Sequence, residues 1–329
     1  MGWIVNQECD PIEQYLAGFC LAHPQMERLD SLPALRLKNL AADRVPILSG
    51  GGAGHEPAHV GFVGEGMLSG AVYGSVFEPP TAEEILGTIE ALDQGQGVFV
   101  IVKNFEADLA AFGEAIHRAR EKGIAVKYIL SHDDISVDPS RHFQMRHRGL
   151  AGTILLHKMV GAAAQAGASL DSLEQLGLAL APEIATIGFA TQAPHLPASQ
   201  EPLFSLSDGM ISYGIGIHGE EGYRTVSLAS SEQLANEIVN KLKLKFRWQE
   251  GEKFVLLVNN LGTTSELEQG IFLHDVCQFL ELEGLNLVFI KTGRLMTSLD
   301  MKGLSVTLCR LKDPRWLAYL QAPTTAPSW

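Results

Sequence analysis

Short β-rich apolar runs alternate with stretches of helical character along this chain, and that order admits few folds. Residues 45–48 (VPIL) run into glycines, and 97–102 (GVFVIV) form an apolar run of strand length. Helical character follows over 107–122, and 124–130 reads as the next strand. Thr81 and Glu84 have the spacing of a capping box, which predicts a helix continuing to Leu92. Strand, helix, strand in this sequence means a sheet with helices packed on its faces, because each element must bury its apolar side against another layer.

The pattern then repeats. A long helical region covers 151–180 with a break expected near Gly167, and a strand-like run, IATIGFAT, restarts at Ile184. Strands are expected over 254–259, 286–291 and 305–310, and a helix over 266–283 is closed by Gly284. We place a domain boundary near Glu183. The expected fold class is therefore α/β, with two α/β domains (1–183 and 184–329), each a β-sheet flanked by helices. A length of 329 residues suits two domains of ordinary size.

Composition narrows the function. Net charge is −13, from 25 basic and 38 acidic residues. That balance argues against direct nucleic-acid binding, which rests on Lys and Arg meeting phosphates. No apolar run reaches membrane-span length, and the N-terminus lacks the pattern of a secretory signal. Four scattered cysteines without CxxC spacing suit reduced thiols in a cytoplasmic protein. The histidines at 23, 117, 142, 147, 157, 195 and 274 form no convincing ligand spacing, so no metal is expected, and without a Walker motif or a kinase signature set no nucleotide cofactor is expected.

Two segments can carry chemistry. SGGGAGHEPAH over 49–59 follows a strand and is expected to lead into a helix. Its glycines would let backbone amides approach a ligand. It lacks the Gly-Lys-Ser/Thr of a nucleotide P-loop, and its glycines are adjacent rather than spaced as in a dinucleotide fingerprint. On residues alone, a binding loop and a tight turn with an exposed histidine stand level. The second segment, GIGIHGE over 214–220, sets His218 among glycines. Neutral imidazole is a nucleophile near neutral pH, so His218 could add to a ketone carbonyl as a hemiaminal.

Taken together, the motifs resemble the substrate-binding subunit of the dihydroxyacetone kinase family. The likeness rests on SGGGAGHEPAHVGFVGEGML from Ser49, VIVKNFEAD ending at Asp108, GIGIHGE around His218 and TSLDMKGLSVTL from Thr297. RGLAGTILLHKMVGAAA from Arg148 and LVNNLG from Leu257 add to it. The resemblance runs the length of the chain. It implies a homodimer and a dihydroxyacetone-like short ketose held covalently on His218. It implies Asp108 as base and His55 as its partner in proton handling, with Gly51, Gly52 and Lys103 contacting substrate. It also implies a phosphoryl donor on another protein, a helical ADP-binding subunit fed by a phosphotransferase system.

Several family stretches are altered. The usual Asn-Tyr-Thr/Ser-Gly-Asp reads Asn104-Phe105-Glu106-Ala107-Asp108, Pro79 stands for a substrate-side serine, and a triple-Asp run reads His132-Asp133-Asp134. The stretch 141–148 matches poorly. Gly-Glu-Pro-Gly has become Gly219-Glu220-Glu221-Gly222, and Gly-Ala-Thr-Pro has become Gly262-Thr263-Thr264-Ser265. These features support two functions. Retained His55 and Asp108 make an active kinase subunit the first expectation. The drifted loops support the alternative: a catalytically silent ketose-binding co-activator acting on a transcription regulator of the kinase operon.

Overall fold

The computed structural model describes residues 4–6, 9–136, 147–197, 201–220 and 222–329. Positions 141–146 and Glu221, among the altered family stretches, and His142 lie outside the described residues, as do the first three residues. The chain divides into two compact units: Met1–Ser131 with Thr153–Ala181 and Ala318–Trp329, and His132–Gly152 with Pro182–Leu317.

The first unit contains α1 (Pro11–Ala22), β1 (Met26–Arg28), β2 (Ala34–Leu37), β3 (Ile47–Ala53), β4 (Gly70–Val76), α2 (Ala82–Leu92), β5 (Val98–Lys103), α3 (Glu106–Glu121), β6 (Val126–Ser131), α4 (Thr153–Gln165) and α5 (Leu170–Leu180). Its sheet runs β1-β2-β4-β3-β5-β6. The β4, β3, β5 and β6 pairings are parallel, while β1 and β2 are added antiparallel. All six residues of β5 are buried, as befits a central parallel strand covered on both faces. The Thr81–Glu84 capping box is present at the start of α2. Ile85, Ile89, Phe112 and Ile116 of α2 and α3 pack on Val98, Val100 and Val102 of β5. The long helical region does break at Gly167, whose φ of 89° suits glycine.

The glycine run departs from expectation. Gly50, Gly51 and Gly52 lie within β3, not in a loop, and pair with Val72, Tyr73 and Gly74 of β4. A Cβ on Gly50 would fall 2.3 Å from the Val72 carbonyl oxygen. Gly50 is there for close strand approach, and Gly51 also takes a φ of 152° that few side chains adopt. Nor does β3 lead into an α-helix: the chain continues through turns and a 3-10 turn at Val60–Phe62.

The second unit contains β7 (Ile184–Gln192), β8 (Met210–Tyr213), β9 (Arg224–Ser227), α6 (Ser231–Phe246), β10 (Lys253–Asn260), α7 (Glu266–Leu282), β11 (Asn286–Gly293) and β12 (Lys302–Arg310). α8 (Pro314–Gln321) comes last. The sheet of this unit runs β11-β10-β12-β7-β8-β9, with only β10 and β11 parallel among the described strands. Leu234, Ile238 and Leu242 of α6, with Phe272, Val276 and Leu280 of α7, pack on Phe254, Leu256, Val258, Val306 and Leu308.

Ser265, one of the altered family positions, has a local purpose. Its hydroxyl accepts from the Glu268 amide at 3.2 Å, and the Glu268 carboxylate accepts from the Ser265 amide at 3.1 Å. This reciprocal cap satisfies two amides that the first turn of α7 would otherwise leave unbonded. Ser265→Ala is expected to lower stability by about 1 kcal/mol in urea unfolding. A change below about 0.3 kcal/mol would mean that the cap contributes nothing.

Candidate functional site

In the first unit, β3 and β5 end side by side. Lys103 is the final residue of β5 and Asp108 lies in the first turn of α3. Both side chains are buried, and Lys103 Nζ is 3.7 Å from Asp108 Oδ1, an ion pair too long to be a hydrogen bond. The ammonium also sits 5.6 Å from the Phe105 ring centroid. Gly51 makes this arrangement possible. A Cβ there would lie 2.4 Å from Lys103 Nζ and 3.2 Å from Asp108 Oδ1. At Gly52 a Cβ would lie 2.7 Å from the Glu78 amide nitrogen. His55 is buried and stacks on Phe77 with ring centroids 5.1 Å apart. Gly51, Gly52, His55, Lys103 and Asp108 thus all belong to one unit, at the carboxyl ends of parallel strands, where open α/β sheets bind ligands. Glu106 is exposed at the start of α3, and Pro79 abuts Gly74 on β4.

His218 belongs to the second unit, on the segment joining β8 to β9. Buried Ile215 and Ile217 anchor that segment, and Ser298 Oγ donates to the Ile217 carbonyl at 2.7 Å. Glu220 folds back beneath the histidine. Its carboxylate accepts from the His218 amide at 2.8 Å and lies 3.5 Å from His218 Nδ1. Gly216 leaves room for this, since a Cβ there would lie 2.0 Å from Glu220 Oε2. Arg148 completes the support. Its Nε donates to Asp134 Oδ2 at 2.6 Å, its Nη2 to the Gly214 carbonyl at 2.9 Å, and its Nη1 is 4.0 Å from Glu220.

Burial alone would raise the Glu220 carboxyl. Its contact with His218, and the charges of His218 and Arg148, overcome that and hold it at about 2. Glu220 is therefore a carboxylate at neutral pH. A carboxylate beside Nδ1 selects the tautomer protonated there and leaves the lone pair on Nε2, the arrangement a nucleophilic imidazole needs. Because the folded value lies below the ordinary one of 4.5, Glu220 contributes stability that is whole above about pH 4.5. That contribution drains away as pH falls toward 2. Glu220→Gln should flatten this acid limb in urea titrations at successive pH values; an unchanged limb would assign it to other carboxylates.

Arg148, Asp134 and Glu220 were not singled out as site residues by sequence reasoning. Arg148 and Asp134 are 14 positions apart, and only tertiary structure brings them to the GIGIHGE segment. Of the altered positions, Asp133 is buried and accepts from the Leu150 and Gly152 amides at 2.8 and 2.9 Å, a structural task. Among the described residues no group of His, Cys, Asp or Glu is placed to hold a metal ion. No helix among them is long and apolar enough to cross a membrane.

Comparison with known proteins adds the relatives. The chain is 52% identical over 319 residues to the DhaKLM operon coactivator DhaQ of Lactococcus lactis subsp. lactis (strain IL1403), covering 96% of this chain and 97% of that protein. It is 42% identical over 327 residues to the dihydroxyacetone-binding subunit DhaK of the PTS-dependent dihydroxyacetone kinase of the same strain, covering 99% and 98%. Among solved structures, "Dihydroxyacetone kinase operon co-activator Dha-DhaQ" superposes with a TM-score of 0.93 at 51% identity, over 96% of this chain and 98% of that one. The dihydroxyacetone kinase of C. freundii superposes with a TM-score of 0.92 at 32% identity, over all of this chain and 60% of that one. The Dak1 domain model matches residues 17–328, and the chain belongs to the Dak1 family, alongside dihydroxyacetone kinase subunits and a co-activator related to them.

Proposed function

We propose that this chain is a ketose-binding co-activator: it holds dihydroxyacetone or a similar short ketose on His218 and presents the loaded form to a transcription regulator of a kinase operon. The observation that carries this reading is the 52% identity to a co-activator, against 42% to a kinase subunit of the same organism. It reverses the order expected from the sequence, where the kinase subunit came first. The altered Pro79 and Glu106 agree with it, since a sensor has no donor subunit to fit.

The chemistry at His218 derives from its neighbours. The Nε2 lone pair adds to the ketose carbonyl carbon, and the π pair moves to oxygen as an N–C bond forms. The resulting imidazolium is stabilised by the Glu220 carboxylate beside Nδ1. Loss of the Nδ1 proton and gain of one by the alkoxide leave a neutral hemiaminal. Glycerol lacks a carbonyl and is rejected without any steric device. We take the second unit as the part that bonds the ketose through His218 and the first unit as the part that carries Gly51, Gly52, His55, Lys103 and Asp108. The working unit is a cytoplasmic homodimer.

The second reading, a kinase subunit served by a helical ADP-binding donor from a phosphotransferase system, is favoured by the retained Asp108 and His55. Asp108 would then accept the hydroxyl proton, and positioning would do the rest. One experiment separates the two. The purified protein is loaded with dihydroxyacetone, its adduct is followed by native mass spectrometry, and it is offered separately to donor subunits and to the regulator on operator DNA. Ketose-dependent binding to the regulator without dihydroxyacetone phosphate formation is the expected result. Turnover above the donor-only control would make it a kinase subunit.

A further inference from the structure

Below the Gly51–Lys103 approach lies a polar cluster that neither reading uses. Side chains two residues apart on a strand share a face. Ser49 on β3 is therefore on the face of Gly51, and it pairs in register with Ile101, two residues before Lys103 on β5. The Ser49 hydroxyl donates to the Ile101 carbonyl at 2.8 Å. Having spent its one hydrogen, Ser49 Oγ can only accept from its other two neighbours. These are His59 Nδ1 at 3.3 Å and His157 Nε2 at 3.2 Å. Both nitrogens must then carry a proton. His59 is protonated at Nδ1 and His157 at Nε2, opposite tautomers fixed by one shared acceptor. Their other nitrogens, His59 Nε2 and His157 Nδ1, are buried and find no hydrogen-bond partner among the described residues, and neither does Lys103 Nζ.

We propose that Ser49, His59 and His157 form a proton-ordered support for Lys103, in which two neutral imidazoles of opposite tautomer position the ammonium for the ketose without adding charge beside it. The inference rests on the ketose-binding reading for its function but not for its geometry. His59, His157 and Ser49 are positioning residues acting through Lys103. The ionisable groups acting on the two rings are Lys103 from β5, His55 from the segment after β3 and the rings themselves; Asp108 from α3 pairs with Lys103. Burial, with the repulsion that a protonated His157, Lys103 or a protonated His55 would add, holds His59 well below the ordinary imidazole value, and burial with Lys103 brings His157 to about 3. Both rings thus stay uncharged at any pH the site works at, and Lys103 is not repelled from beneath.

The tautomers predict which substitutions are tolerated. An asparagine amide nitrogen stands near the Nδ1 position and a glutamine amide nitrogen near the Nε2 position. His59→Asn and His157→Gln should therefore keep ketose affinity within about threefold, whereas the crossed pair, His59→Gln and His157→Asn, should lose about tenfold or more. Ser49→Ala removes the shared acceptor and should lower ketose affinity about tenfold without adding an acid limb, since burial still keeps both rings neutral. Long-range proton–nitrogen NMR on the wild-type protein labelled in histidine, assigned with His59→Asn and His157→Gln, reads the tautomers directly. The expected result is two rings, one protonated at Nδ1 and one at Nε2, unchanged between about pH 5 and 8. Two rings of the same tautomer, a ring that titrates in that range, or equal affinities for matched and crossed variants would overturn the proposal. A wild-type protein that forms no ketose adduct would sink the ketose reading alone, because the NMR experiment still decides the tautomers.

Discussion

His218→Ala should abolish the ketose adduct while leaving the second unit folded. The segment is held by Ile215, Ile217 and the Ser298 bond to the Ile217 carbonyl, none of which involves the imidazole. The substitution removes the only nucleophile in GIGIHGE, so the mass increment in native spectra should fall below detection rather than merely weaken. Glu220 retains Arg148 as a countercharge, which keeps the loss local. Circular dichroism and urea unfolding should match the wild type to within about 1 kcal/mol. An adduct that survives would place the covalent bond on another side chain and end the role assigned to His218. Loss of the adduct with regulator binding still dependent on ketose would show that signalling needs only non-covalent occupancy.

The second large effect is on stability. Lys103 and Asp108 are both nearly inaccessible to water, with side-chain exposures of 0% and 4%. Lys103→Ala leaves the Asp108 carboxylate buried without its countercharge and should cost about 3–5 kcal/mol in urea unfolding. Lys103→Met with Asp108→Leu removes both charges together and should recover most of that loss, since a buried ion pair and a well-packed apolar pair are often of similar stability. A single Lys103→Ala variant within about 1 kcal/mol of wild type would mean that water reaches Asp108 and that the pair is not enclosed. The double variant separates folding from function, because it should be stable and yet bind ketose poorly.

Much of the architecture was legible, and the reasons differ by element. The α2 helix announced itself through Thr81 and Glu84, and β5 through an unbroken apolar run. The α6 helix was passed over although Ser230 and Gln233 form a capping box ahead of Leu234, Ile238 and Leu242. β4, with glycines at 70 and 74, was passed over as well. Glycine signals a turn when it supplies conformational freedom alone, but at Gly50, Gly52 and Gly74 it supplies space, and only the chain packed against it shows which.

The site divided in the same way. His55, Lys103 and Asp108 came from resemblance to a family, since each alone has an ordinary structural use, whereas His218 was already a candidate through the glycines on either side of it. The Arg148–Asp134 bond and the Ser49–His59–His157 cluster depend on contacts between distant segments, which spacing cannot reveal. His157 in particular had no role in the sequence reading because it forms no ligand spacing with the other histidines, and only the fold shows that its helix, α4, is buried from Thr153 to Ala164.

Residues 322–329 return to the first unit after the chain has passed through the second. Lys158 on α4 donates to the Ala322 carbonyl at 2.7 Å, Glu65 and Thr325 exchange bonds of 2.9 and 3.2 Å, and the Ser328 amide donates to the Gly61 carbonyl at 2.9 Å. Gly61 and Gly64 would have no room for a Cβ against this segment. On the ribosome, the amino-terminal unit therefore cannot reach its finished packing when its own strands emerge, and must wait for residues made after the second unit. Domains ordinarily mature in the order of their synthesis. In this chain the later unit can be complete first, and the half bearing Lys103 and Asp108 closes only when 322–329 has been delivered.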